Sequence, residues 1–220
     1  MQGITFDIAH MLAGSLVLVS FMQLYQDRLY ALLNIYALHA LVLAASVAWQ
    51  AFVQDAPHLY LTAVIALVFK AIVIPATLHR IIVKLGIHRE IETVVGVGPT
   101  MLLGMGLVAL SMVVMLRVTV EADPLAREDL AFALSVVLLG LLMMITRRNA
   151  VTQVVGFMSL ENGLILAAVG VRGMPLVVEM SVAFSVMVAF IIFGIFFFHI
   201  RERFDTLDLQ YIETFRGERE

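Results

Sequence analysis

Seven long apolar runs constrain this chain more than any other feature. They lie near 4–24, 29–53, 57–82, 97–118, 128–146, 149–171 and 175–199. A bilayer core of about 30 Å is crossed by roughly 20 residues of helix, so each run is long enough to span a membrane once. The whole 220-residue chain is 62% hydrophobic and 14% charged. A soluble domain is nearer half apolar and a quarter charged. The expected fold is therefore all-α, a polytopic membrane protein of about seven transmembrane helices. Short polar connectors separate the runs: "YQDR", "VQDAPH", "KLGIHREIET", "VEADPLARED", "TRRN" and "VRGMP". The tail "RERFDTLDLQYIETFRGERE" is polar and is expected outside the bilayer. The first run lacks the basic flank and small-residue cleavage site of a secretory leader, so it is expected to remain as a helix.

Lysine and arginine placement sets the expected orientation. With the N-terminus outside, the inner segments hold Arg28, Arg80, Lys84, Arg89, Arg147, Arg148, Arg201, Arg203, Arg216 and Arg219. The outer segments hold only Arg117, Arg127 and Arg172. The excess predicts an outer N-terminus and an inner C-terminus. The net charge of −3 offers no basic surface for nucleic acid. The chain has no cysteine, which excludes disulfides, thiolate metal sites and cysteine-held iron–sulfur clusters on it. Metal-ligand spacing is absent, as is any nucleophile–base pair, so no metal site and no catalytic centre are expected. Any redox chemistry would belong to a partner.

Most charges fall in connectors or near helix ends, and four positions within the helices stand out: His39, Lys70, Glu161 and Glu179. A charge at the centre of a membrane helix costs about 2.5–3.5 kcal/mol or more, so such groups face protein or water and mark ion pathways by default. Glu161 lies mid-run, followed by Asn162, which can both donate and accept, and by Gly163, which admits a close neighbour. Lys70 is too deep to snorkel to either interface and needs a partner. Pro75, five residues on, is expected to kink the helix beside Lys70. Equal depth makes Lys70 the expected counterpart of Glu161. For Glu161 a proton relay stands against a structural carboxyl bonded to a neighbouring subunit, and for Lys70 a relay or switch stands against a fixed salt bridge to such a neighbour. Glu179 is either an outer proton mouth or an interfacial carboxyl. His39 is either a relay group or a hydrogen-bonded core histidine. Asp7, His10, His79, His88 and His199 lie near helix ends, where interfacial solvation accounts for them. The glycines of "GVGPTMLLGMG" read as a helix-packing signal.

An internal repeat is legible. "LYALLNIYALHALVLAASVA" in the second run resembles "VTQVVGFMSLENGLILAAVG" in the sixth, which sets His39 against Asn162. An odd fourth helix lets two three-helix units share one orientation, a known transporter arrangement. The expected organisation is a three-helix unit over 1–88, a connecting helix over 89–126, a second three-helix unit over 127–204 and a tail over 205–220. Chance similarity between Leu/Ala/Val-rich helices is the alternative.

The stretches "RRNAVTQVVGFMSLENG" and "FFFHIRERFDTLDLQ" resemble the small three-helix subunit of respiratory complex I and the C subunit of multisubunit sodium/proton antiporters. With "FKAIVIPATLHR", "VGPTMLL" and "PLVVEMS" added, nearly the whole chain is similar to the hydrogenase-4 component E family. The resemblance implies a non-catalytic membrane-arm subunit of a complex I-like hydrogenase or formate hydrogenlyase, in a prokaryotic inner membrane. It implies antiporter-like and other membrane subunits as partners in a hetero-oligomer, with nickel–iron and iron–sulfur centres on other subunits and no cofactor here. By the depth reading above, the relay of a proton or sodium ion is expected at Glu161, Lys70, Glu179 and His39, supported by Asn162, Gly163 and Pro75. Two departures are visible. Met158 stands where the complex I subunit has its first acid, with Glu161 nearly one turn on. Apolar Val188 stands near the place of its second acid, about nine residues from Glu179. A docking subunit without ion conduction, or a stand-alone transporter, are the alternatives.

Overall fold

The computed structural model describes residues 2–85, 91, 93–118, 124–170, 187 and 194. Helix α1 covers Gln2–Tyr25, α2 Leu29–Gln54 and α3 Pro57–Ile65. A π-helical stretch, Ala66–Val73, joins α3 to α4, Ile74–Leu85. Helices α5, Val97–Val118, α6, Pro124–Thr146, and α7, Ala150–Gly170, follow. Hydrocarbon offers the backbone no partners, so each apolar run must pair its own amides, which a helix does. Among the described residues six spans are long and apolar enough to cross a membrane: α1, α2, the continuous α3–π–α4, α5, α6 and α7. The chain is an all-α polytopic membrane protein. Of the expected seventh span only Met187 and Gly194 are among the described residues; Glu179 and the tail lie outside them.

Local contacts end or start helices at two of the described connectors. Asp55 ends α2 in the left-handed region, at φ 52°, with its N–H on the Ala51 carbonyl, and Pro57 then opens α3. Asn149 caps α7 by accepting from the Val151 N–H at 2.8 Å. Arg147, just before it, folds under the bundle and donates to the main-chain carbonyl of Leu24 at the end of α1. Ile91 bonds to Asp27, and Val94 to Thr146, so the connectors after α1, α4 and α6 gather at one end of the bundle. At the other end Gln54 reaches the Val169 carbonyl and Trp49 the Thr5 carbonyl. These are called the Arg147 end and the Asp55 end below.

Apolar association gives no net driving force inside lipid, so membrane helices adhere through close backbone packing and polar contacts. The α6–α7 interface shows how. A Cβ added at Gly140 would lie 2.6 Å from the Leu160 nitrogen. One added at Gly163 would lie 2.8 Å from the Val137 nitrogen. Helix α2 runs through the middle, against α1, the π stretch and α7, and α1 closes on α6. Among the described spans helix α5 is the most exposed, and it touches α6 and α1. Ser111 of α5 meets the Ser135 hydroxyl and the Ala131 carbonyl of α6. Of the α5 glycines, only Gly104 packs closely, against Phe21 and Leu139, whereas Gly98 and Gly106 have nothing within 4 Å. The packing signal read from that stretch thus rests on one glycine.

Candidate ion-translocation site

The polar residues of four apolar helices meet at mid-depth. Lys70 Nζ lies 3.2 Å from Glu161 Oε2, joining the π stretch to α7. It also donates to Asn162 Oδ1 at 2.7 Å. Lys70 is 1% exposed and Glu161 3%. The Asn162 amide nitrogen lies 2.9 Å from His39 Nδ1 on α2. His39 Nε2 lies 3.0 Å from Ser20 Oγ on α1, and Ser20 in turn donates to the Leu16 carbonyl.

The donors in this chain all point one way. A lysine ammonium only donates, so the Asn162 oxygen must face it and the amide NH2 must face His39. Nδ1 of His39 then accepts, which leaves the proton of the neutral ring on Nε2. That N–H donates to Ser20, whose hydroxyl passes its own hydrogen to Leu16. Every group between the ammonium and the α1 carbonyl has its partner. A second proton on His39 would break its bond with Asn162. The histidine holds Asn162, and Asn162 holds Lys70 beside Glu161.

Local sequence explains the placement. Lys70 sits inside the π-helical stretch, whose five-residue hydrogen-bond spacing widens the turn; such segments recur at functional sites. The stretch just before Pro75 is π-helical, not α-helical. The Ile74 N–H bonds back to Phe69, and Pro75, which has no N–H, follows where α-helical spacing resumes. Gly163, next to the site, brings α6 against α7 so that Glu161 and Asn162 are shut in.

The structure thus brings together Lys70, Glu161, Asn162, Gly163 and His39. It also adds residues not singled out from sequence. Ser20 ends the chain of hydrogen bonds, and Ser159 donates to Gln23 Oε1 at 2.7 Å one turn away. Tyr36 is fully buried. Arg147, read as an interfacial charge, is 2% exposed. Burial draws its guanidinium down from the ordinary arginine pKa, and nearby Asp27 opposes that. At the Asp55 end His10 pairs with Glu128 at 2.7 Å, where solvation alone had been expected. Among the described residues no group of three or more His, Cys, Asp or Glu is placed to hold a metal ion.

The chain has relatives over almost its full length. It is 28% identical over 207 residues to an uncharacterized protein of Mycobacterium tuberculosis, covering 93% of this chain and 94% of the relative. It is also 28% identical over 217 residues to hydrogenase-4 component E of Escherichia coli K12, covering 96% and 98%. Hydrogenase-4 component E of Shigella flexneri matches to the same extent. No protein-family profile matches the chain, and no solved structure matches it.

Proposed function

We propose that this chain is a non-catalytic membrane subunit of a complex I-like, redox-driven assembly in a prokaryotic inner membrane. In this reading the Lys70–Glu161 pair carries or gates the ion, a proton or sodium, that the assembly moves. The observation that supports it is the burial of both charges at mid-depth, on two apolar helices, in direct contact. Such a pair is expensive to desolvate and weak as a source of stability. Its usual occurrence inside membranes is on ion and proton routes. The near full-length similarity to hydrogenase-4 component E supports the kind of assembly. Nickel–iron and iron–sulfur centres would sit on partner subunits, and antiporter-like subunits would be neighbours.

The residues have separate tasks in this reading. Lys70 and Glu161 exchange a proton directly, a short step at 3.2 Å. Asn162 does not titrate; it positions Lys70 and connects it to His39. A structural docking role is the competing reading, favoured by the completeness of the Lys70–Asn162–His39–Ser20 bonds, which would also suit a fixed cross-brace.

Glu161→Gln and Lys70→Met in the intact complex separate the two. Redox turnover and ion translocation are measured in sealed membranes, with assembly checked on native gels. Loss of translocation in an assembled complex supports the ion route. Normal turnover together with normal translocation in both variants would leave only the cross-brace.

A further inference from the structure

Three layers cross the interface of α1, α2 and α7, and they differ in kind. The middle layer is Ser20, His39 and Asn162. Helix α1 runs toward the Arg147 end, whereas α2 and α7 run away from it. One turn toward the Asp55 end therefore lie Leu16, Leu43 and Leu166, buried to 0%, 0% and 3% exposure. One turn toward the Arg147 end lie Gln23, Tyr36 and Ser159, also buried, at 1%, 0% and 0%. The middle polar layer is thus closed by leucine on one side and continued by polar groups on the other.

The lower polar layer is incompletely bonded. Ser159 donates to the Gln23 side-chain oxygen, yet among the described residues Gln23 Nε2 and the Tyr36 hydroxyl have no hydrogen-bond partner. Tyr36 lies one turn along α2 from His39, which reaches Asn162, the residue next to Glu161. A donor in a dry apolar interior left without a partner costs about 1–3 kcal/mol, and native proteins meet such groups with ordered water. Two such groups on neighbouring helices, in one layer, are a poor fit to a dry core. Beyond them, Thr152 and Arg147, both buried, continue the polar lining toward the Arg147 end.

We propose that Gln23, Tyr36 and Ser159 form a water-binding site that connects the Lys70–Glu161 pair to the Arg147 end alone, with Leu16, Leu43 and Leu166 sealing the Asp55 side. This rests on the ion-route reading for its purpose, but not for the water itself. The site makes the central pair one-sided: water meets it from the face that gathers Arg28 and Arg147. Tyr36 both donates and accepts, so it can bridge water to the Glu161 carboxyl, while Gln23 Nε2 holds the water that Ser159 leaves unserved.

The test is water-edited solid-state NMR on the full chain in lipid bilayers, in which magnetisation passes from water to nearby protein nuclei. The Gln23 side-chain amide is assigned by its loss in Gln23→Leu, and the Tyr36 ring by its loss in Tyr36→Phe. The expected result is a several-fold faster build-up at Gln23 and Tyr36 than at the methyls of Leu16, Leu43 and Leu166. Build-up at Gln23 and Tyr36 as slow as at those methyls overturns the site. Equally fast build-up at the leucines overturns the one-sided seal. Ion translocation by Glu161→Gln separates this inference from the function it serves. A hydrated Gln23 with undiminished translocation in that variant keeps the water site and removes the ion route.

Discussion

Asn162 and His39 touch across 2.9 Å although 123 residues separate them. Arg147 and Leu24, which also touch, are 123 residues apart as well. That is the offset which lays "LVLAA" of α2 on "LILAA" of α7 in the sequence. In a parallel repeat about an axis along the membrane normal, equivalent residues near the axis meet at equal depth. Helix α2 packs on α7 and α1 on α6. The polar centre of the molecule lies where the two similar helices face each other.

The Lys70–Glu161 pair predicts a particular pattern of stabilities. Removing one charge leaves the other buried without its counter-ion, at a cost of about 3–5 kcal/mol, whereas replacing both with apolar groups is often neutral or stabilising. Lys70→Met and Glu161→Leu should each lower the thermal unfolding midpoint of the purified chain in detergent. The double variant should recover most of the loss. Additive losses in the double variant would mean that the two side chains act independently.

The glycines of the α6–α7 interface give a contrast internal to the protein. A methyl at Gly140 would run into the Leu160 backbone, which a rotamer change cannot relieve. Overpacking of this kind costs about 1–3 kcal/mol. Gly140→Ala and Gly163→Ala should destabilise the chain in detergent unfolding assays. Gly106→Ala, in open space on α5, should be neutral or slightly stabilising, because alanine is the better helix former by about 1 kcal/mol.

Asn149 supplies a third test, at the start of α7. Its side-chain oxygen takes the Val151 N–H, one of the donors that a helix start leaves over. Asn149→Ala should cost about 0.5–2 kcal/mol, while Asn149→Asp should retain the cap. Amide hydrogen exchange at Val151 and Thr152 reads this directly: faster in the alanine variant, unchanged in the aspartate one. Equal protection in both variants would show that α7 starts without the cap.

The sequence exposes residues whose presence in lipid is costly and hides those whose presence is cheap. Lys70 and Glu161 stand out because an ionisable group in an apolar run demands a reason. Their contact could be expected from depth, but the π-helical stretch that carries Lys70 could not, since Pro75 predicts a disturbed helix without fixing its register. Ser20, Gln23, Tyr36 and Ser159 escape notice because single hydroxyls and amides are unremarkable in membrane helices. Their alignment depends on three helices with differing directions, and only the packing sets those rows side by side. Arg147 misleads in the opposite sense. A connector arginine reads as an orientation signal, yet the α1 carbonyl it caps draws it inside. Apolar runs gave the six described spans closely because length and hydropathy decide them with little help from tertiary contacts.

The hydrogen-bond chain from Lys70 fixes a tautomer that can be observed. Asn162 must present its amide NH2 to His39, so His39 Nδ1 carries no proton and Nε2 carries one. Nitrogen-15 NMR of the imidazole in lipid bilayers should therefore show a neutral ring with Nε2 protonated. Asn162→Leu removes the donor to Nδ1 and frees that nitrogen, so the tautomer preference should weaken. The same substitution takes an acceptor from Lys70, which then has Glu161 as its remaining bonded partner in the cluster. Assembly should persist, whereas ion translocation in the intact complex should fall if the position of Lys70 matters to transfer. A ring found protonated on Nδ1 in the unaltered chain would reverse the donor order and remove the link by which His39 positions Lys70.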